Sequence, residues 1–291
     1  MPTRAKLFLL LTILFSSAIA CEKENPTSTT PSDKKETITV VSLSPAATDL
    51  VVAFGGANQF VGVSTFDNDP AVASLPKVGD YENVDWERIA TLRPRKMIVQ
   101  MAKNRIPDGM RQRASELGVT LVDVQIDRLI DVHLEITRLG NELNRNEDAK
   151  KLADSFRDDL DVVRREWMDS PKVKTLLVTS DEGTGIAGAK TFLDDVLQIA
   201  GGENVAGDHD GYFQADEEML ITMKPDVIVQ LLPDATPAQV ESARKFWASL
   251  PTIPAVTNDR ILIVTDSWSL KPGPKLAELS KRIADHLHGK P

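Results

Sequence analysis

Residues 129–167, LIDVHLEITRLGNELNRNEDAKKLADSFRDDLDVVRREW, separate two halves of the chain. The segment contains no proline and one glycine, Gly140. Its apolar residues recur every three or four positions in two successive runs, which is the spacing that lines one face of an α-helix. We therefore predict two helices, the second of which covers residues 146–167 and is roughly 35 Å long. Asn144 with Glu147 predicts a capping box that starts this second helix.

Strand-like runs alternate with short helical patterns on both sides of this segment. Such alternation predicts an α/β fold with mainly parallel sheets. The long helix would then bridge two α/β lobes. We assign residues 38–145 to the N-terminal lobe, including an edge helix at residues 129–143. Residues 146–168 form the bridging helix, and residues 169–291 form the C-terminal lobe.

Two short motifs occur in the same order in both halves. FGGAN at residues 54–58 matches AGGEN at residues 200–204, and ERIATLRP at residues 87–94 matches EMLITMKP at residues 218–225. Their order around a helical divider predicts that the lobes arose by duplication and share one topology.

The N-terminus has the pattern of a secretory signal, because basic residues precede a short apolar run and small residues follow it. The single cysteine, Cys21, comes directly after Ala18-Ile19-Ala20. This arrangement resembles the lipobox of bacterial lipoproteins, although the commonest lipobox begins with leucine where this chain has Ala18. The resemblance implies that residues 1–21 form a lipoprotein signal peptide and that Cys21 carries the lipid. Plain signal cleavage with a free Cys21 is the alternative.

The segment after the cysteine, residues 22–37, has no large apolar residue and reads as a flexible tether. The chain has a formal net charge of −9 and no basic patch, so we expect no nucleic-acid binding. One cysteine cannot form an internal disulfide, so the fold does not need one.

A set of motifs spread over residues 38–288 resembles the class III periplasmic substrate-binding proteins of ABC importers for cobalamin, ferric siderophores and haem. The motifs are SLSPAATD (42–49), VGV (61–63), LPKVG (75–79), ERI with a later proline (87–94), GGENV (201–205), PDVI (225–228) and PGPK (272–275). The resemblance implies two Rossmann-like lobes joined by a single long α-helix, with the ligand held between them. It also implies no catalysis, no cofactor, a monomeric chain outside the cytoplasm on a membrane, and a permease dimer as partner.

Glu87 and Glu218 occupy matching places in the repeated motif. A carboxylate near a helix start is stabilised by the helix dipole, so both could simply be solvated surface groups. The resemblance implies instead that each docks into an arginine pocket of one permease subunit. Arginine can bind a carboxylate through two parallel hydrogen bonds.

The ligand cleft should lie beyond the carboxyl ends of the parallel strands, which is where α/β folds bind ligands. The loops at those ends contain aromatic, polar and basic residues suited to a bulky metal chelate. The candidates are Ser44, Pro45, Phe66, Tyr81, Gln100 and Lys103 in the first lobe, and Tyr212, Phe213, Trp268 and Lys271 in the second. Each aromatic residue could equally belong to the core.

The chelate class stays open at this stage. Where the family often has arginine around its Pro-Gly-Pro, this chain has Lys271 and Lys275, which cannot make the same forked contact. Aromatic walls with neutral donors suit cobalamin slightly better than an anionic ferric siderophore, but the sequence does not separate the two.

Other chemistries find little support in the sequence. Residues 183–188 fit GxGxxG, but Asp181 and Glu182 before them would repel a pyrophosphate. The four histidines have no metal-ligand spacing, and no GxSxG elbow is present. A secreted two-lobe α/β enzyme and a ligand sensor without a transporter are the alternative functions.

Overall fold

The computed structural model describes residues 37–289, except for the side chain of Lys103. The strands are β1 (Val40–Ser42), β2 (Phe60–Gly62), β3 (Lys96–Gln100), β4 (Thr120–Val124), β5 (Val173–Val178), β6 (Gly185–Ala187), β7 (Gly202–Asn204), β8 (Tyr212–Gln214), β9 (Val227–Leu231) and β10 (Ile261–Val264). The helices are α1 (Pro45–Ala53), α2 (Trp86–Leu92), α3 (Asp108–Glu116), α4 (Leu129–Glu142), α5 (Asn146–Trp167), α6 (Phe192–Ile199), α7 (Glu217–Met223), α8 (Pro237–Ala248), α9 (Pro254–Thr257) and α10 (Leu276–Leu287).

The two sheets share one strand order. In the first lobe the order is β2-β1-β3-β4, and all neighbours are parallel. In the second lobe β7, β5, β9 and β10 follow one another in the same parallel arrangement. Strand β6 extends this sheet antiparallel to β5, and β8 pairs antiparallel with β6; the sequence did not predict either strand. The prediction of two α/β lobes with mainly parallel sheets is therefore confirmed, with an antiparallel exception in the second lobe.

The repeat extends to the start of α2 and α7. Asp85 caps α2 by accepting a hydrogen bond from the backbone nitrogen of Arg88 at 2.9 Å. Asp216 caps α7 in the same way, from the nitrogen of Met219 at 2.8 Å. A carboxylate at this position satisfies a backbone donor that the helix leaves unpaired.

The two helices also end alike. Arg93 follows α2 with φ 48°, and Lys224 follows α7 with φ 47°, both in the left-handed region. Pro94 and Pro225 come next and prevent further helix. The two helices therefore start and stop alike and hold Glu87 and Glu218 at equivalent positions in their first turns.

Helix α5 covers Asn146–Trp167, as the sequence predicts, but its start does not involve a capping box. Asn144 has φ 57° and belongs to the end of α4. Its backbone nitrogen donates to the oxygen of Asn141 at 3.3 Å, and that of Arg145 donates to the oxygen of Gly140 at 2.7 Å. This pair of bonds is a Schellman motif, which reverses the chain between α4 and α5.

Helix α5 packs against both lobes. Its neighbours are α4, the last helix before it, and α6 and α10 of the second lobe. Its buried face consists of Ala149, Ala153, Phe156, Leu160 and Val163. These residues belong to one apolar cluster that includes core residues of both sheets. Burial of a side chain such as Phe156 stabilises the fold by about 2 kcal/mol, so the helix is a packed strut rather than a loose linker.

Candidate ligand cleft and docking carboxylates

The end of β1 brings three predicted ligand residues together. Ser44 accepts a hydrogen bond through Oγ from the nitrogen of Ala47 at 3.1 Å and so caps α1. Pro45 occupies the first turn, where its missing N–H has no cost. The same Ser44 Oγ donates to Oε1 of Gln100, the last residue of β3, at 2.6 Å. Because β1 and β3 are neighbours, these polar groups lie side by side at the carboxyl edge of the sheet.

Two exposed aromatic residues lie on the long connection between β2 and α2. Phe66 exposes 66% of its side chain and Tyr81 exposes 55%. The nitrogen of Val63 donates a hydrogen bond to the oxygen of Pro76 at 3.0 Å, and the nitrogen of Val78 donates to the oxygen of Val63 at 2.9 Å. These two bonds hold the connection against the sheet. Neither aromatic ring is a core residue, so both are free to contact a ligand.

A buried carboxyl group, Asp67, lies directly after Phe66, and its burial was not predicted from the sequence. Its Oδ2 accepts from the nitrogen of Ser64 at 2.8 Å and from Oγ1 of Thr48 at 3.2 Å. Its Oδ1 is buried without a hydrogen-bond partner among the described protein atoms. Burial raises the pKa of Asp67 to about 6, against the hydrogen bonds that lower it.

Tyr212 and Phe213 lie on strand β8 and not in a loop, which corrects the sequence prediction. Successive side chains on a strand point to opposite faces. Tyr212 exposes 54% of its side chain, whereas Phe213 packs against the apolar cluster of the second lobe and stacks on His209 at 4.5 Å between ring centroids. The structure therefore does not bring both rings to one cleft wall, and Tyr212 is the better candidate.

The hydroxyl group of Tyr212 lies near the first lobe. Desolvation raises the pKa of Tyr212, and the carboxylate of Asp127 raises it further. A hydrogen bond with Thr191 acts in the opposite direction. Asp127 precedes α4, so Tyr212 lies where the two lobes meet.

Lys271 crosses from the second lobe to the first. Its Nζ lies 3.3 Å from Oδ2 of Asp49 in α1 and 3.3 Å from Oδ1 of Asn68. Trp268, on the same segment, is half-buried against the central apolar cluster, and Nζ of Lys275 lies 5.6 Å from the centroid of its ring. Lys271 is thus already paired, and Trp268 has a packing role beside any contact with ligand.

Two predicted site residues are not tested by this geometry. The side chain of Lys103 and the whole of Cys21 lie outside the described residues. Their roles in ligand binding and in lipid attachment stay predictions.

Glu87 and Glu218 are exposed in the first turns of α2 and α7. A shallow concavity of about 440 Å³ lies beside Glu218, with Asp208 and Asp216 among its lining residues. The surface around Glu218 is therefore acidic, which suits a basic partner.

A larger groove of about 1060 Å³ lies away from this cleft. It runs between α4 and α5 on one side and α6 and β7 on the other. None of the predicted ligand residues lines it. Its walls mix both signs of charge, because Arg157, Arg164, Asp161 and Glu203 all line it.

Residues 37–289 contain neither a candidate membrane span nor a candidate metal cluster. No helix in that range is long and apolar enough to cross a membrane. No group of three or more His, Cys, Asp or Glu side chains in it is arranged to hold a metal ion.

Comparison with known proteins agrees with this architecture. An ABC transporter substrate-binding lipoprotein of Bacillus subtilis (strain 168), YvrC, is 26% identical over 261 residues, which cover 88% of this chain and 81% of that protein. A vitamin B12-binding protein of Vibrio parahaemolyticus is 26% identical over 251 residues, covering 85% and 88%.

Solved structures show the same fold. The vitamin B12-binding protein BtuF of Vibrio cholerae has a TM-score of 0.73 at 22% identity, covering 87% of this chain and 98% of that one. A periplasmic heme-binding protein of Pseudomonas aeruginosa has a TM-score of 0.74 at 24% identity, covering 87% and 93%. The family model for periplasmic binding proteins matches residues 40–267, most of the two-lobe structure, and the chain belongs to that family.

Proposed function

We propose that this chain is an extracytoplasmic substrate-binding lipoprotein. It captures a metal chelate between its lobes and delivers the chelate to the permease of an ABC importer. The chain acts as a monomer and carries out no catalysis in this account.

One observation carries the proposal. The repeated lobes present Glu87 and Glu218 at equivalent positions, each exposed and each two residues after a capping aspartate. Two like charges held apart by a packed helical strut can fix both the register and the orientation of a complex. A permease dimer that offers one basic pocket per subunit has the matching geometry.

The cleft supports a bulky, partly apolar ligand. Phe66, Tyr81 and Tyr212 present exposed rings, and Ser44 with Gln100 adds neutral polar groups. Aromatic walls with a few polar groups are typical of sites for small molecules and cofactors. The relatives named above as vitamin B12-binding and heme-binding proteins suggest a corrinoid, haem or ferric siderophore as the ligand class.

The proposed anchor is a lipid on Cys21, with residues 22–37 as the tether. The sequence around Cys21 supports it, and so does the lipoprotein name of the Bacillus subtilis relative. Several acyl chains on one cysteine would hold the protein firmly on a membrane surface. Mass spectrometry of the membrane fraction should find a lipidated N-terminal peptide for the wild type and none for Cys21→Ser. A Cys21→Ser protein that stays in the membrane after a salt wash would contradict the anchor.

The ligand-binding part of the proposal is tested by titration. Residues 22–291 are purified and titrated with cyanocobalamin, haemin and a ferric siderophore, and tryptophan quenching is recorded. We expect saturable binding of at least one of the three, without chemical change of the ligand. Absence of binding to all three, or turnover of a bound compound, would contradict the proposal and favour a secreted enzyme.

A further inference from the structure

The contact between Lys271 and Asp49 determines the charge at one rim of the proposed cleft. Lys271 lies after β10, and Asp49 lies in α1, which begins directly beyond β1. Each side chain exposes 22% of its surface, and the two charged atoms are 3.3 Å apart. Partly buried ion pairs are screened less by salt than exposed ones, so we expect this ion pair to persist at physiological ionic strength.

The segment that carries Lys271 is held in place. Ser269, Pro272 and Gly273 are buried, and the nitrogen of Lys271 donates to the oxygen of Trp268 at 2.9 Å. At its base, Asp266 is paired with Arg282 of α10 at 2.5 Å. Lys271 is therefore positioned by the fold and does not sample the cleft on a loose loop.

The charges around this pair are balanced. Asp67 and Asp69 are the other acids near Asp49, and Lys77 and Lys275 are the other nearby cations. Nζ of Lys77 donates to the backbone oxygen of Asp67 at 2.6 Å. An anionic ligand would therefore meet no surplus of positive charge at this rim.

Two other cations of the described residues are also paired with acids. Lys190 lies 2.5 Å from Asp210, and Arg128 is bound by Asp195. A cation that is already paired with an acid attracts a carboxylate of a ligand more weakly, because the two negative charges compete for the same cation.

We propose that Asp49 determines ligand class by neutralising Lys271, so that the cleft selects neutral metal chelates over chelates that carry free carboxylates. The proposal rests on the binding function above and adds a specificity residue to it. Asp49 acts through Lys271 and does not itself contact the ligand. Removing its charge would free Lys271 to bind a ligand carboxylate.

The test compares two probes, cyanocobalamin as a neutral corrinoid and haemin as a chelate with two carboxylates. Dissociation constants are measured for the wild type, Asp49→Asn, Lys271→Met and the double variant, with folding checked by thermal denaturation. In Asp49→Asn we expect the affinity ratio of haemin to cyanocobalamin to rise about tenfold, and in Lys271→Met we expect it to fall. In the double variant the increase in this affinity ratio should disappear, because the Lys271 ammonium that Asp49→Asn would free is absent.

Asp69→Asn is the matched control. It removes one nearby negative charge but leaves the contact between Lys271 and Asp49 intact, and asparagine keeps the Oδ1 acceptor that bonds the nitrogen of Ala71 at 2.8 Å. In this control, the affinity ratio of haemin to cyanocobalamin should change by less than about twofold.

Three outcomes would overturn the inference. An unchanged ratio in Asp49→Asn, or tighter binding of haemin than of cyanocobalamin by the wild type, contradicts the role of Asp49 and leaves the importer function standing. If neither the wild type nor any variant binds either probe, this inference is overturned. If the wild type also fails to bind a ferric siderophore, the proposed function is overturned as well.

Discussion

Arg128 and Asp195 join the two lobes through a forked ion pair. Nε of Arg128 donates to Oδ2 of Asp195 at 2.8 Å, and Nη2 donates to Oδ1. Oδ2 also accepts from the nitrogen of Leu129 at 2.9 Å. Asp195 therefore supplies, from the second lobe, an acceptor for the first backbone nitrogen of α4, while Asp131 of α4 itself accepts from the nitrogen of Arg128 at 2.8 Å. This clasp lies beside α5 and fixes how the lobes meet.

Asp195→Ala should lower the free energy of unfolding by about 1–2 kcal/mol. Loss of a helix cap costs about 1 kcal/mol. The ion pair adds up to about 1 kcal/mol, since Arg128 is 42% exposed. Asp195→Asn keeps an acceptor for the nitrogen of Leu129 and should lower the free energy of unfolding by less. Urea unfolding followed by tryptophan fluorescence measures both values, and a wild-type value for Asp195→Ala would refute the clasp.

The contact between α4 and α5 depends on Gly140. A Cβ at this position would overlap the Cβ of Ala149 on the facing helix. Gly140→Val should therefore destabilise the protein by about 1–3 kcal/mol through overpacking. Gly109→Ala in α3 is the control, because a Cβ there meets nothing within 4 Å. It should be neutral or stabilising by up to about 1 kcal/mol, since alanine is the better helix former. Equal stability of the two variants in urea unfolding would contradict the close packing.

The helices that the sequence predicts best have strong local signals. Helices α4 and α5 agree closely with the predicted residues 129–143 and 146–167 because the apolar spacing of both segments is regular. Strands β6 and β8 have three residues each, which is too short for a clear strand pattern, and β8 pairs with β6 across the intervening α6 and β7.

Some residues of the candidate site could likewise be predicted from the sequence, and others could not. Motif resemblance identified Glu87 and Glu218, and strand order identified the loops of Ser44 and Gln100. The pairing of Lys271 with Asp49 joins residues of different lobes, and sequence spacing cannot show such a contact. The burial of Asp67 was not predicted, because nothing in the neighbouring sequence indicates it.

Asp67 should make stability depend on pH. Its pKa of about 6 in the folded state lies above the ordinary aspartate value of 3.8, so the folded protein binds this proton more tightly than the unfolded chain. The contribution of this group to stability is therefore full below pH 4 and is lost as the pH rises through 6. Its size is about 2–3 kcal/mol.

Asp67→Asn removes that titration. The difference in unfolding free energy, wild type minus variant, should fall as the pH rises from 4 to 7 in a series of urea titrations. Subtracting the variant cancels the other titrating groups, including Asp49, whose pKa burial also raises. A difference that stays constant over this range, or that grows with pH, would show that Asp67 is not a buried acid.

Phe66 should contribute to ligand binding through its exposed ring. Phe66→Ala should weaken binding of the probe that the wild type binds by about tenfold, because a lost aromatic contact is worth about 1–1.5 kcal/mol. Leu134→Ala is the control, since Leu134 is 57% exposed on α4 and is not a cleft residue. Its dissociation constant should equal that of the wild type. Equal constants for both variants would remove Phe66 from the cleft.

The most direct test of the central claim is uptake of the bound chelate by the permease reconstituted in proteoliposomes, with Glu87→Ala/Glu218→Ala as the binding protein. Glu147→Ala/Glu278→Ala is the control, because both residues are exposed glutamates in first helical turns elsewhere. We predict that the first double variant binds chelate like the wild type but loses at least about 90% of uptake, since two charge-pair contacts of about 1–3 kcal/mol each are gone. The control should transport normally. Full uptake by Glu87→Ala/Glu218→Ala would contradict the account.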